Sequence, residues 1–156
     1  MKLTLPWKRL TAEEWLLRGN GHLKRAEIDQ AFYCYQQAVS EQPDFGEAWR
    51  QNGVLLGITG QYPSAIRSLE EAIKIASRDT AAWRLKGFLL FRMNRFEEAL
   101  ACFDRAIALD NGDFQAWYWR GLALQSLGCP AKRSEAAFEE AERWGQRGGD
   151  RRRDRQ

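Results

Sequence analysis

Histidine and cysteine are scarce in this chain, with one histidine, His22, and three cysteines, Cys34, Cys102 and Cys129, among 156 residues. One imidazole and no Cys-x-x-Cys pair leave no zinc set, and an odd number of thiols gives no disulfide framework, so no metal site is expected. Cys34 and Cys102 are read as small buried thiols in a reducing cytosol. Long hydrophobic runs are missing too. Nothing approaches the roughly 18 consecutive apolar residues of a membrane span, and the first eight residues hold no apolar stretch of secretory type. The reading is a soluble, cytoplasmic chain.

Catalytic material is equally thin. There is no Gly-rich phosphate loop and no Ser or Cys nucleophile beside a base, so the chain is read as a non-enzyme without a cofactor. Paired acids occur at Glu13-Glu14, Glu70-Glu71, Glu97-Glu98 and Glu139-Glu140. Adjacent residues on a helix point about 100° apart, so such pairs form solvated faces rather than acid/base dyads. Glu70 and Lys74, one turn apart, are expected to pair.

Charge is unevenly placed. The last twelve residues, 145–156, hold five arginines against two aspartates and carry the whole net charge of +3. The body is therefore neutral, and no specific nucleic-acid binding is expected of it. Glycines and charge density mark 145–156 as an Arg-rich disordered tail. At the other end, residues 1–11 carry Leu3, Leu5, Pro6 and Trp7, too short for a helix pair and too apolar for a solvated tail. They are read as an N-terminal arm covering the start of the domain.

What the chain does have is a period. Tryptophans at 15, 49, 83 and 117 recur every 34 residues, each followed four residues later by glycine at 19, 53, 87 and 121. Further columns align: Ala31, Ala65 and Ala99; Tyr35, Leu69 and Phe103; Ala38, Ala72 and Ala106. A period of this length belongs to stacked repeat arrays. Within each block, apolar residues at three- and four-residue steps describe two amphipathic helices, A then B, joined by a turn short enough to make them antiparallel. Thr11 with Glu14, Asp79 and Asp113 are placed to cap the A helices, with Asp44 expected to serve the second block.

These columns, W-x3-G followed by A-x3-[Y/L/F]-x2-A with Pro43 closing the first block, resemble the tetratricopeptide repeat family. The resemblance covers residues 12–144, as repeats 12–45, 46–79, 80–113 and 114–144. It implies an all-α, right-handed superhelix of four antiparallel helix pairs. The fourth block departs from the pattern: its turn, Gly128 to Arg133, is one residue longer, moving Ser134, Phe138 and Ala141 into the columns of Ala99, Phe103 and Ala106. No further solvating helix is expected after Trp144, which leaves an apolar end. His22, at the end of the first helix A, is read as a substitute for an aromatic packing residue.

The resemblance further implies a concave face lined by A helices, on which residues one, two and five places after each Trp meet a ligand. These are Arg50, Gln51 and Val54, then Arg84, Leu85 and Phe88, then Tyr118, Trp119 and Leu122. The first block contributes Leu16, Leu17 and Asn20, with Arg92 and Gln115 on flanking turns. The family's carboxylate clamp for chaperone C-termini does not fit: Asn20 is in place, but Leu16, Val54 and Leu85 interrupt the basic and amide set. The expected partner is another protein, a peptide or helix of apolar and acidic character, held by a scaffold or adaptor. The competing readings are that Phe88, Trp119 and Leu122 pack internally while the arginines pair with Glu47 or other acids, and that the apolar end and the arm build a homodimer or larger homo-oligomer.

Four interior glycines, each costing about 1 kcal/mol against alanine, require a return in packing. Close approach of helix B, with its Ala65 or Ala99, is the return expected. Gly87→Leu should therefore destabilise the chain by ~1–3 kcal/mol or more, measured as a lowered melting temperature.

Overall fold

The computed structural model describes residues 9–153, and among them the secondary structure is entirely helical. Four pairs follow one another: α1 (Ala12–Lys24) with α2 (Ile28–Glu41), α3 (Gly46–Ile58) with α4 (Tyr62–Ile75), α5 (Thr80–Arg92) with α6 (Phe96–Leu109), and α7 (Phe114–Ser126) with α8 (Ala131–Arg153). Each A helix begins at the first residue of a 34-residue block. Each packs most extensively on the B helix of its own pair, and each B helix then packs on the A helix that follows. Helices α3, α5 and α7 also touch in succession, so these three A helices form one continuous face.

The caps follow the sequence with one exception. Thr11 and Glu14 form a reciprocal capping box, and the Asp79 and Asp113 carboxylates accept from the amides of Ala82 and Ala116. The second block is capped at Phe45, with no side-chain hydrogen bond, and not at Asp44. Residue 45 is the position equivalent to 79 and 113, so Asp44 stands one residue early. Phe45 compensates by packing with Leu16 and Trp49 around Ala38, Val39 and Ala48.

The glycine column makes room for one particular neighbour. A Cβ on Gly87 would lie 2.7 Å from a ring carbon of Phe103, one on Gly19 would lie 2.6 Å from Tyr35, one on Gly53 2.8 Å from Leu69, and one on Gly121 2.5 Å from Phe138. The tightest approach is thus to the Tyr35/Leu69/Phe103/Phe138 column; the expected approach of Ala65 is also present, its carbonyl oxygen 3.2 Å from a Cβ on Gly53, whereas at Gly87 the next neighbour is Cys102 rather than Ala99. Phe138 occupies that column one residue late, as the longer turn requires. The tryptophans are half-buried, and their indole N–H groups donate backwards to the loop carbonyls of Pro43, Ser77 and Asn111 at 2.8, 3.0 and 2.8 Å for Trp49, Trp83 and Trp117.

Two expectations are corrected. The chain does not leave the helix at Gly145: α8 runs through Gly145, Gly148 and Gly149 to Arg153, where a disordered tail was expected. Trp144 donates to Glu140 and lies beneath the Arg147 guanidinium at 5.1 Å, so side-chain contacts offset the cost of Gly145 in that turn. Lys74 pairs with Glu71 at 2.5 Å rather than with Glu70, because Glu70 is engaged by Lys86 of the next helix. The N-terminal arm lies outside the described residues except for its last three.

Each A-to-B turn passes through the left-handed region at Ala26 (φ 59), Gly60 (φ 79), Asn94 (φ 58) and Gly128 (φ 67), again 34 residues apart. Asparagine and glycine tolerate this conformation; alanine is strained there. Nothing lies within 4 Å of a Cβ built on Gly60, so substitution there reports backbone strain alone. Gly60→Ala should cost about 1 kcal/mol and Ala26→Gly should gain roughly 0.5 kcal/mol, seen as opposite shifts in denaturant midpoint.

Candidate functional site

In the first three repeats the residue one place after the Trp, Leu16, Arg50 or Arg84, lies at the junction with the next A helix and meets its N-terminal end, whereas Tyr118 in the last contacts Phe138 of α8. Arg50 Nε sits 3.0 Å from Asp79 Oδ2, and Arg84 Nε sits 2.9 Å from Asp113 Oδ2. Each aspartate thereby serves twice, one oxygen capping the following A helix and the other facing the preceding arginine. The Nε groups are buried without a well-directed hydrogen bond, so this clasp acts through proximity of charge. Arg50 also donates to Glu47, as does Gln51 at 2.8 Å. The two arginines expected to await a ligand are therefore occupied as ties between repeats.

A second inter-repeat tie recurs on the B helices. Gln36 donates to Asn52 at 3.3 Å, Lys86 to Glu70 at 2.8 Å, and Arg120 to Asp104 at 2.6 Å. Both members of these pairs repeat every 34 residues. Asn52, nearly fully buried, is completed by Ser68 at 3.0 Å. Asn20 is likewise internal in its bonding, accepting from the fully buried Tyr35 hydroxyl at 2.8 Å. Desolvation pushes the Tyr35 phenol up to about 12. Burial also raises the Cys102 thiol to about 11, which makes it unreactive near neutral pH.

The remaining predicted residues gather around open space. A cavity of about 400 Å³ is bounded by Val54, Leu85 and Phe88, together with Gly53, Gly57, Ile58, Tyr62, Leu69, Leu89 and Arg92. The rings of Phe88 and Trp119 meet edge-on at 4.8 Å, and Trp119 also contacts Phe91 at 5.5 Å. Trp119 itself lines a second, shallower cavity of about 350 Å³ together with Phe114, Gln115, Tyr118, Ala141 and Glu142. Leu122 is half-buried, Leu17 stands 74 % exposed, and Leu16 packs into the first junction.

Sequence reasoning missed Gly57, Ile58 and Tyr62. The available signal was Gly57 itself, which stands where the neighbouring blocks carry Leu23 and Phe91. With no side chain there, the cavity stays open. His22 contacts Glu27 at 2.6 Å and Arg25 at 3.1 Å, a polar turn cluster rather than an aromatic substitute. The hydrogen bond to His22 holds the Glu27 carboxyl below its usual range. Among the described residues no three His, Cys, Asp or Glu side chains cluster as metal ligands, and no helix is long and apolar enough to cross a membrane.

The clasp makes a measurable distinction. Asp113→Asn keeps a capping oxygen but loses the charge facing Arg84, whereas Asp113→Ala loses both. The alanine variant should be less stable than wild type by roughly 2 kcal/mol in chemical denaturation, and the asparagine variant by about half as much.

Comparison with known proteins agrees with this architecture. A family model described as TPR repeat matches residues 87–128. Among solved structures, MamA superposes with a TM-score of 0.83 at 19 % identity, covering 89 % of this chain and 81 % of that one. A fragment of MamA from Desulfovibrio magneticus RS-1 gives a TM-score of 0.78 at 18 % identity, covering 86 % of this chain and 76 % of that one. The first TPR of Spaghetti (RPAP3), bound to the HSP90 peptide SRMEEVD, gives 0.74 at 20 % identity, covering 75 % of this chain and 93 % of that one. A curated relative, Protein O-mannosyl-transferase TMTC1 of Mus musculus, is 33 % identical over 67 residues, 43 % of this chain. The match spans only 7 % of that protein's length, too little to carry its activity across. The antiparallel pairs and the superposition on MamA give this chain the fold of tetratricopeptide repeat proteins, and the family match places one such repeat at residues 87–128.

Proposed function

We propose that the chain is a non-enzymatic, cytoplasmic protein-interaction scaffold or adaptor that holds a peptide or helix of a partner, apolar with acidic character, against its A-helix face. The observation that carries this reading is the apolar cavity between α3 and α5, large enough for a partner's side chain and floored by Leu85, Phe88 and Leu69. Phe88 and Trp119 brace each other, so the floor is held in place before a ligand arrives, and little ordering opposes binding. The fold is one on which Spaghetti (RPAP3) holds an HSP90 peptide.

A second reading rests on the far end. Phe114 and Tyr118 are 46 % and 48 % exposed beside the shallower cavity, an apolar edge suited to a second copy of the chain. The two readings separate by the residue that abolishes each.

Val54→Trp fills the first cavity from its wall. Peptides selected on the wild-type chain from a displayed 12-residue library should lose at least tenfold in affinity for this variant, at an unchanged melting temperature. Equal binding to both would remove the cavity from the function. Sedimentation of Tyr118→Asp, compared with wild type over a range of concentration, tests the self-association reading.

A further inference from the structure

Three arginines reach the A-helix face of the middle repeats, and the structure separates them by what they already touch. Arg50 lies against Asp79 and Glu47, and Arg84 against Asp113, each about three-quarters buried. Arg92 is different. It is exposed at the last position of α5, and its guanidinium lies 5.7 Å from the Tyr62 ring centroid and 6.0 Å from that of Phe88. Among the described residues it makes these ring contacts and no ion pair. Tyr62, Phe88 and Arg92 all line the apolar cavity, so an uncompensated positive charge is fixed at its mouth.

We infer that Arg92 is the specificity-determining residue of the proposed groove, and that the cavity takes an apolar side chain flanked directly by an aspartate or glutamate on the partner peptide. The inference rests on the cavity reading above and gives it a chemical selector. Two aromatic rings hold the guanidinium by cation–π attraction, and among the described residues no carboxylate takes its N–H groups. A fork held this way is pre-organised for a carboxylate, which it meets bidentately where a lysine would offer a point charge.

The other groove arginines cannot take this part. Asp79 and Asp113 are bound to the amides of the helices they cap, and an incoming carboxylate would have to enter beside an anion already present. Arg92 faces no such competitor. Gly57 contributes by absence: a side chain there would press on Leu89 at 3.1 Å and narrow the opening that the apolar residue must pass. The selector is thus assembled from α3, α4 and α5, two successive repeats.

The test uses the full chain and a displayed random 12-residue peptide library. Selection on wild type should enrich an apolar residue adjacent to Asp or Glu. A synthetic consensus peptide should then bind Arg92→Gln about tenfold more weakly than wild type, and Arg92→Lys at an intermediate level. Selection on Arg92→Glu should turn toward Lys or Arg beside the same apolar residue. If the enriched peptides compete with one another and are lost on Val54→Trp, but carry no acidic preference or bind Arg92→Glu as well as wild type, the selector is overturned while the cavity stands. If no peptide sensitive to Val54→Trp emerges, both fall. Melting temperatures of Arg92→Gln and Arg92→Lys should lie close to wild type, since the side chain is exposed, and that of Arg92→Glu somewhat lower, since it puts an anion at the C-terminal end of α5, with the folded state retained in each.

Discussion

The distance between the two helices of a pair governs the rest of this molecule. It is set where a ring or leucine of helix B lies flat against a glycine of helix A, at a separation that no Cβ would permit. Beside that contact the alanines of helix B are fully covered. The cost of a glycine inside a helix is recovered because a large apolar group is sealed from water at the tightest point of each repeat.

Binding between repeats is achieved by other means. Where pairs meet, polar groups are matched across the joint: Asp79 and Asp113 cap and clasp together, and a rung of side chains links each B helix to the next A helix. Arg50 and Arg84, on the A-helix face, are thereby neutralised. What remains open in the middle repeats is a largely apolar cavity with Arg92 beside it.

Much of this was legible in the residues. The 34-residue columns located every A helix at its first residue, and the longer fourth turn correctly displaced Phe138 by one place. Asp44 was misjudged because its neighbour Phe45 holds the cap position for packing rather than hydrogen bonding. Pairing of Arg50 with Glu47 was one of the readings the sequence left open, whereas the aspartates that face Arg50 and Arg84 were not foreseen. These aspartates lie 29 residues away, a spacing that is neither a helical turn nor a repeat, and only the stacking of pairs brings them together. The cavity was half visible: Val54, Leu85 and Phe88 follow from helical position, whereas Tyr62 enters from a B helix, and Gly57 acts through what it lacks.

The joints are not alike along the array. At the first, Leu16 meets Phe45 and the rung is the neutral pair Gln36 and Asn52; at the next two, arginines meet aspartates and the rungs are ionic. Mobile ions screen the more exposed ionic rungs of the later joints, act less on their buried arginine–aspartate contacts and leave the first joint untouched, while cooling weakens the apolar joint more than the ionic ones. One chain built from a single repeated plan thus has two kinds of seam, each answering to a different property of the solvent.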